Sequence, residues 1–289
     1  MTDKPLYNKI EFISSHGPEQ GIVTRFFFQI KELTNQAFLN ENDRHRHLDQ
    51  YMIVVINDFT TFHDLYQELK KSFEEFQKGI LSGDLFKIDE RGVATIDCSL
   101  ELKIKIKIKE FFTQGRILLN NLAKSKVIDD EYFCLNDLII VKDTNFKINK
   151  LKFLDKDELK RYKCLFDILE YSRNNFLSSF NQIRAEIEHD SFEIPRFKIS
   201  FLNKNVLFEQ PMLKERALMA QLDFYYNSIF DFIESIIAHY MGINAYINHK
   251  GLLTLYQRKT FNYKELKYKF LISQKRNDNN LIDLLKNIS

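Results

Sequence analysis

The chain is poor in the two residues that shape turns. Its 289 residues include only 8 glycines and 4 prolines, about a third of the usual joint share of roughly 12%. With so few turn-forming residues, long helices are favoured over many short strands. Tryptophan is absent, whereas phenylalanine occurs 27 times and tyrosine 13 times, so we expect a core rich in phenyl rings. The length suits one large domain or two.

Cysteines and long apolar runs are also scarce. Cys98, Cys134 and Cys164 are isolated from one another, so neither a CxxC pair nor a disulfide framework can be built. This cysteine usage predicts a reducing compartment and therefore a cytoplasmic protein. The longest apolar run has six residues, Tyr51–Ile56, and residues 1–12 lack an apolar segment of signal-peptide type. We therefore expect neither a signal peptide nor a membrane span.

A strong charge of one sign is missing as well. The net charge is +2 with 28% charged residues, so nucleic acid could only be bound by a local surface. P-loop, GxGxxG, GxSxG and HExxH motifs are absent. Their absence disfavours an NTPase, a dinucleotide-binding enzyme, a serine hydrolase and a zincin, and we expect no cofactor.

His45 and His47, flanked by Asp43 and Asp49, carry side chains that can ligate metals. Their spacing fits no common metal site, and no cysteine lies near them in the sequence. A solvated loop accounts for this short cluster better. We therefore predict a polar break over residues 40–47 and no bound metal.

Apolar residues recur at helical spacing along most of the chain. A heptad stripe from Leu48 to Ile80 predicts one long helix over about 46–82, ended by Gly83. Between 99 and 109, apolar residues alternate with charged ones, so a strand remains an alternative to a helix there. The predicted helices cover residues 22–38, 46–82, 98–125, 155–190 and 212–241, and Gly242 is predicted to stop the last of them.

The segments between these helices favour strands and turns. We predict a strand over 6–13, a turn at 16–18, a turn or small hairpin over 84–97, an irregular β-leaning insert over 126–154 and a β-hairpin over 196–209. The segment 258–276 interleaves basic and aromatic residues, which would suit an RNA backbone and stacked bases. An ordinary solvated helix face is the alternative for that segment.

The end of the 155–190 helix gathers polar side chains where its apolar stripe runs out. Arg184, Glu186, Glu188 and His189 lie within six residues, and Pro195 is predicted to end the helix. An arginine can hold a phosphate bidentately, and a histidine can move a proton near neutral pH. Together they suffice for metal-free cleavage of RNA by its own 2′-OH.

Five helical steps separate Arg184 and His189 by about 140° and about 7.5 Å, so long side chains could converge on one cleft. The alternative is a solvated helix end with Arg184–Glu188 as an exposed i,i+4 pair.

This motif and the order of the elements around it resemble the HEPN superfamily of ribonucleases and RNA-associated domains. Members are α-helical bundles with an Arg, four to six residues and a His at the end of the penultimate core helix. The resemblance runs through residues 183–190, Pro195, the predicted hairpin and residues 230–237. It implies a mainly α fold, namely a HEPN-like helical bundle with a small β-hairpin over 95–242. Residues 1–94 would form an N-terminal helical extension, and residues 243–289 a basic, aromatic C-terminal appendage.

By the same resemblance, Arg184 would bind the scissile phosphate and His189 would act as the acid/base or orient the 2′-OH, in a cleft shared by two protomers. Many members carry a polar residue, often Asn, directly after the Arg, where this chain has Ala185. Glu186 or Glu188 could supply that polar partner, and we include Glu188 in the candidate site.

The resulting expectation is a homodimeric, metal-independent endoribonuclease that acts as a toxin or phage-defence effector on an RNA such as tRNA or mRNA. An antitoxin or defence-system protein is a candidate partner. The alternative is a catalytically silent HEPN-like module that binds RNA or a partner protein.

Overall fold

The described part of the chain is built mainly from helices, with short antiparallel strand pairs between them. The mainly α class predicted from the sequence is confirmed. The coordinates are those of a computed structural model. The structure describes residues 21–51, 57–90, 94–124, 129–130, 133–134, 156–189, 191–193, 196–202, 205–258 and 266–272.

Six helices account for most of these residues. They are α1 (Gly21–Ala37), α2 (Glu41–Gln50), α3 (Asn57–Ser82), α4 (Ser99–Lys124), α5, which runs as Lys156–Ser172, a π-helical turn Arg173–Leu177 and Ser178–Glu188, and α6 (Leu218–Asn248). The helices predicted over 22–38, 98–125 and 155–190 are confirmed. The strand alternative for 99–109 is wrong, because Ile104 and Ile108 are buried one helical turn apart.

The described strands form two-stranded antiparallel pairs. They are β1 (Phe86–Ile88) with β2 (Ala94–Ile96), β3 (Asp129–Asp130) with β4 (Phe133–Cys134), β5 (Lys198–Leu202) with β6 (Asn205–Glu209), β7 (Met212–Leu213) with β8 (Arg216–Ala217), and β9 (Leu253–Gln257) with β10 (Tyr268–Ile272). Phe86 pairs with Ile96, and Lys198 pairs with Glu209. The hairpins predicted over 84–97 and 196–209 are therefore confirmed.

The polar break predicted over 40–47 is wrong, because α2 occupies it. Asn40 caps this helix, with its side-chain oxygen 2.9 Å from the Asn42 backbone N–H that donates to it. An Asn cap followed by acidic residues in the first turn stabilises a helix even where few residues are apolar. Helix α3 then ends at Gly83, whose φ of +86° suits glycine. The predicted single helix over 46–82 is thus described as α2 and α3, with residues 52–56 outside the described ranges.

The end predicted for the last helix at Gly242 is also wrong, since α6 continues to Asn248. A Cβ placed on Gly242 would lie 3.2 Å from the Leu255 Cβ. The glycine therefore lets strand β9 pack closely against the helix rather than ending it. In addition, the start of the predicted 212–241 helix is a small hairpin, β7–β8, and α6 begins at Leu218.

A phenyl-rich core lies between the helices. Helix α3 packs against α4, and α4 packs against the last part of α5. Helix α1 and the first part of α5 both pack against α6. The heptad stripe of α3 faces this core, from Phe59 to Ile80. One cluster of buried side chains extends from Phe26 in α1 to Tyr268 in β10. Residues of all three predicted segments, 1–94, 95–242 and 243–289, therefore contribute to one core, and the boundaries between the segments stay predictions.

Several sequence predictions concern residues outside the described ranges. These are the strand over 6–13, the turn at 16–18, most of the insert over 126–154 and parts of the 258–276 segment. Among the described residues, no helix combines the length and the apolar character that crossing a membrane requires.

Candidate active site at the end of helix α5

The last three turns of α5 present the candidate residues at the surface. Phe180 and Ile183 are buried and fix this part of the helix on the core. The backbone N–H of His189 caps the helix by donating to the carbonyls of Ala185 and Ile187. The N–H groups of residues 191 and 192 both donate to the Glu186 carbonyl, at 2.9 and 3.1 Å. The terminal carbonyls are therefore satisfied locally, which defines the end of the helix.

Arg184 and Glu188 are brought together as an i,i+4 ion pair on the surface of α5. Their side chains are 30% and 47% exposed. Such a pair stabilises a helix by only about 0.2–0.5 kcal/mol, so a stronger anionic ligand can compete with Glu188 for the guanidinium.

His189 is not brought to Arg184 within one chain. Its side chain is exposed, and no hydrogen bond or ion pair joins it to Arg184 among the described residues. Helical geometry directs the two side chains about 140° apart. The two side chains therefore do not converge on one cleft of a single chain, a possibility that the sequence left open.

A residue that the sequence analysis missed, Arg116, lies beside this site. It comes from α4 and donates from Nη1 to the Asn181 Oδ1 of α5 over 3.0 Å. The two helices approach closely at Gly115, where an added Cβ would lie 2.7 Å from the Phe180 ring. No local motif marks Arg116, because its importance arises only from the packing of α4 on α5.

The electrostatics link Arg116 to the predicted site. Partial burial lowers the pKa of the Arg116 guanidinium, the positive charge of Arg184 lowers this pKa further, and the negative charge of Glu188 raises it. Arginine nevertheless stays protonated in proteins. Two cations and one carboxylate therefore share the junction between α4 and α5.

The histidines considered as metal ligands are placed differently from the solvated loop predicted for them. His47 is 7% exposed in α2 and stacks on Phe38, with ring centroids 4.2 Å apart. Burial lowers the pKa of His47. Within the described ranges, no group of three or more His, Cys, Asp and Glu side chains is arranged to hold a metal ion.

The described part of the basic 258–276 segment is a strand, so the helix-face alternative is wrong there. Lys267 is buried and forms an ion pair with Asp231 over 3.3 Å. Lys269 lies over the Tyr256 ring, 5.6 Å from its centroid. Lys267 thus fastens the β9–β10 hairpin to α6, and RNA binding by this segment stays a prediction.

The polar residues of α6 that face the core have structural partners. Arg25 of α1 and Glu234 of α6 form a buried ion pair, with nitrogen–oxygen distances of 2.5 and 3.0 Å. His239 Nδ1 donates to the Ser235 carbonyl over 2.8 Å. The Nδ1 group of His239 is therefore satisfied within its own helix.

A groove of about 1130 Å³ lies between α5 and the first half of α6. Its charged lining residues are Asp167, Lys214, Glu215, Arg216 and Asp231. Acidic groups outnumber basic ones there, which disfavours a polyanion such as RNA. Gln182 lines this groove, and helical geometry places Arg184 about 200° further round the helix, so the groove and the candidate site lie on different sides of α5.

Comparisons of the chain with protein-family models, with curated proteins and with solved structures find no match in any of the three. The site itself consists of Arg116, Arg184 and Glu188 at the junction of α4 and α5, with His189 exposed at the helix end. These groups can bind an anion and transfer a proton.

Proposed function

We propose that this protein is a homodimeric, metal-independent endoribonuclease with a HEPN-like bundle. In the reaction, the 2′-OH of a ribose attacks the adjacent phosphorus, the bond from phosphorus to the 5′ oxygen of the next nucleotide breaks, and a 2′,3′-cyclic phosphate forms. Arg184 holds a non-bridging oxygen and offsets the charge that develops on the phosphate. His189 moves the proton between the 2′ oxygen and the leaving 5′ oxygen. Glu188 is the polar partner that holds Arg184 in position until the phosphate displaces it.

The observation that carries the proposal is the position of the motif. Arg184 and His189 lie at the exposed end of a helix whose preceding turns are anchored in the core by Phe180 and Ile183. A rigid element that presents an anion-binding group and a titrating group to solvent suits a large substrate. Both side chains can reach an RNA strand without unfolding of the core.

Two copies of the chain are needed because the side chains diverge. Arg184 and His189 leave one helix about 140° apart, and no hydrogen bond or ion pair joins these two described residues. If two α5 ends face each other across a two-fold axis so that Arg184 of one protomer lies opposite His189 of the other, the isologous interface repeats this pair in the opposite direction. The composite site therefore consists of residues from both protomers.

We place the reaction in the cytoplasm, in keeping with the three isolated cysteines. The role is that of a toxin or phage-defence effector that cleaves tRNA or mRNA. An antitoxin or another protein of the defence system would hold such an activity in check.

The second candidate function is a catalytically silent HEPN-like module that binds RNA or a protein. It is favoured by the ion pair between Arg184 and Glu188, which occupies the arginine, and by Ala185, which offers no polar side chain after it. In this case Arg184 and His189 would have no part in chemistry.

Incubation of total RNA with the purified protein in EDTA distinguishes the two functions. We expect the wild type to produce fragments with 2′,3′-cyclic phosphate ends, and Arg184→Ala and His189→Ala to lose at least about a hundredfold in rate, the lower contribution of a general acid or base. Equal inactivity of all three proteins, each folded and dimeric, would favour the silent module.

A further inference from the structure

Three side chains of α5 form a stripe that faces Arg116 of α4. Asn181, Arg184 and Glu188 are spaced i, i+3 and i+7, so they lie on one side of the helix. Arg116 reaches this stripe through its 3.0 Å hydrogen bond to Asn181. The amide oxygen thereby orients a second guanidinium beside the first.

Among the residues that the structure describes, most N–H groups of the two guanidiniums have no protein acceptor. A guanidinium carries five N–H donors. Among the described residues, Arg116 donates to Asn181 alone and Arg184 to Glu188 alone. Within the described ranges, one carboxylate therefore faces two cations at this junction, which leaves a net positive charge there.

The partial burial of this junction strengthens the attraction between its positive charge and an anion. Arg184 is 30% exposed, and Arg116 is half-buried. A charge–charge interaction is stronger there than in bulk water. Burial and, after it, repulsion by Arg184 lower the pKa of Arg116, and the repulsion is relieved when an anion lies between the two guanidiniums.

We propose that Arg116 and Arg184 together form a phosphate-binding site, in which each arginine binds one non-bridging oxygen of an RNA phosphodiester. The assignment of the anion to RNA rests on the proposed function. Arg116 is the second phosphate ligand, and Glu188 is the group that the phosphate displaces from Arg184.

The geometry favours a phosphodiester over a carboxylate. A carboxylate is matched by a single planar guanidinium fork, and Glu188 already supplies a carboxylate to Arg184. Two guanidiniums that approach from different helices suit a tetrahedral anion, because its two non-bridging oxygens point in different directions.

Binding of an uncleavable RNA tests this site. The probe is a fluorescein-labelled 2′-O-methyl uridine 12-mer, whose binding to the full chain is followed by fluorescence anisotropy at several salt concentrations. We expect Arg116→Gln to weaken binding about tenfold, in the range for a hydrogen bond to a charged group. The slope of log K against log salt should fall in magnitude by about 0.7, as for one lost phosphate contact on a single strand.

Two further variants sharpen the test. Arg46→Gln makes the same change of charge at a side chain that is 65% exposed on α2. This variant should bind the RNA within about twofold of wild type, because the exposed ion pair that it loses contributes little to stability. Glu188→Gln removes the competing carboxylate and should tighten binding severalfold. This gain cannot arise from misfolding, so it remains informative if Arg116→Gln fails to fold.

Unchanged affinity and salt slope in a folded Arg116→Gln protein would overturn the proposal. Weaker RNA binding by Glu188→Gln than by wild type, or no RNA binding by wild type, would overturn it as well. If the wild type binds in the expected way but cuts no RNA, the phosphate site stands and the ribonuclease proposal fails. If the wild type cuts RNA and Arg116→Gln binds and cuts equally well, the ribonuclease proposal stands and the phosphate site fails.

Discussion

At the scale of single residues, the most consequential polar contact of the core is the Arg25–Glu234 ion pair. Its side chains are 4% and 0% exposed. Burial raises the pKa of the Glu234 carboxyl, and Arg25 opposes this shift. Removing two charges from water is costly, so the pair is tolerated because its members satisfy each other.

Glu234→Leu should therefore destabilise the protein strongly. The variant leaves the buried Arg25 guanidinium without its carboxylate, and such losses cost about 3–5 kcal/mol in the free energy of unfolding. Urea denaturation measures this change. The double variant Arg25→Met/Glu234→Leu should recover most of the loss, and a double variant as unstable as the sum of its single substitutions would contradict this account.

The half-buried histidine at position 239 predicts a dependence of stability on pH. Burial lowers the pKa of His239, and the nearby Lys267 lowers it further, while the bond to Ser235 opposes both effects. Below about pH 6.5 the unfolded chain therefore binds a proton that folded His239 does not. Stability falls as the pH drops from 7 towards the folded pKa, by at most about 1.4 kcal/mol per pH unit for this group.

Urea denaturation of wild type and His239→Phe at pH 7 and pH 5 measures this contribution. The wild type should lose more stability on acidification than the variant, because the variant lacks the group that must stay neutral. Equal losses in the two proteins would show that His239 does not contribute to the pH dependence.

At the scale of secondary-structure elements, the close crossing of α4 on α5 positions the candidate site. Gly115 makes it possible, because a Cβ there would meet the buried rings of Phe180 at 2.7 Å and Phe62 at 3.1 Å. Arg116 follows directly and reaches Asn181 from this crossing. The packing of two apolar helix faces thus determines where a polar side chain lies.

Gly115→Ala should destabilise the protein although alanine is the better helix former. The gain in helix propensity is about 1 kcal/mol, whereas overpacking of a filled core costs about 1–3 kcal/mol, and the buried rings leave little room for relaxation. Urea denaturation should show a net loss of up to about 2 kcal/mol. Gly79→Ala is the matched control, because its contact is the end of the half-buried Leu85 side chain, which can move. Greater stability of Gly115→Ala than of wild type would contradict the close crossing.

Much of the element order follows from hydrophobic spacing alone. In α4 the i,i+4 pair Ile104 and Ile108 is buried, while Leu102 and Ile106 are 60% and 50% exposed. The alternation of apolar and charged residues therefore does not divide this segment into a buried and an exposed face, as it would in a strand. The helix α2 lacks an apolar stripe, and only the Asn40 cap and the acidic first turn could have revealed it. Gly242 misled the prediction because its role is tertiary, as a contact with Leu255.

At the scale of the whole molecule, the candidate site was only partly predictable. The i,i+4 spacing predicts the Arg184–Glu188 pair, which the structure contains. Arg116 lies 65 residues before its partner Asn181, and no local pattern encodes contacts at that distance. The proposed arrangement of two protomers is likewise a property of surfaces rather than of spacing.

In the proposed function two copies of the chain complete one ribonuclease site, and a mixture of two inactive variants provides a direct test. Arg184→Ala and His189→Ala are co-refolded, and the rate of RNA cleavage in EDTA is compared with those of wild type and of each variant alone. A hybrid dimer keeps one pair in which Arg184 of one protomer faces His189 of the other, so the mixture should regain up to about a quarter of the wild-type rate. An active wild type combined with a mixture as inactive as its components would contradict the shared site.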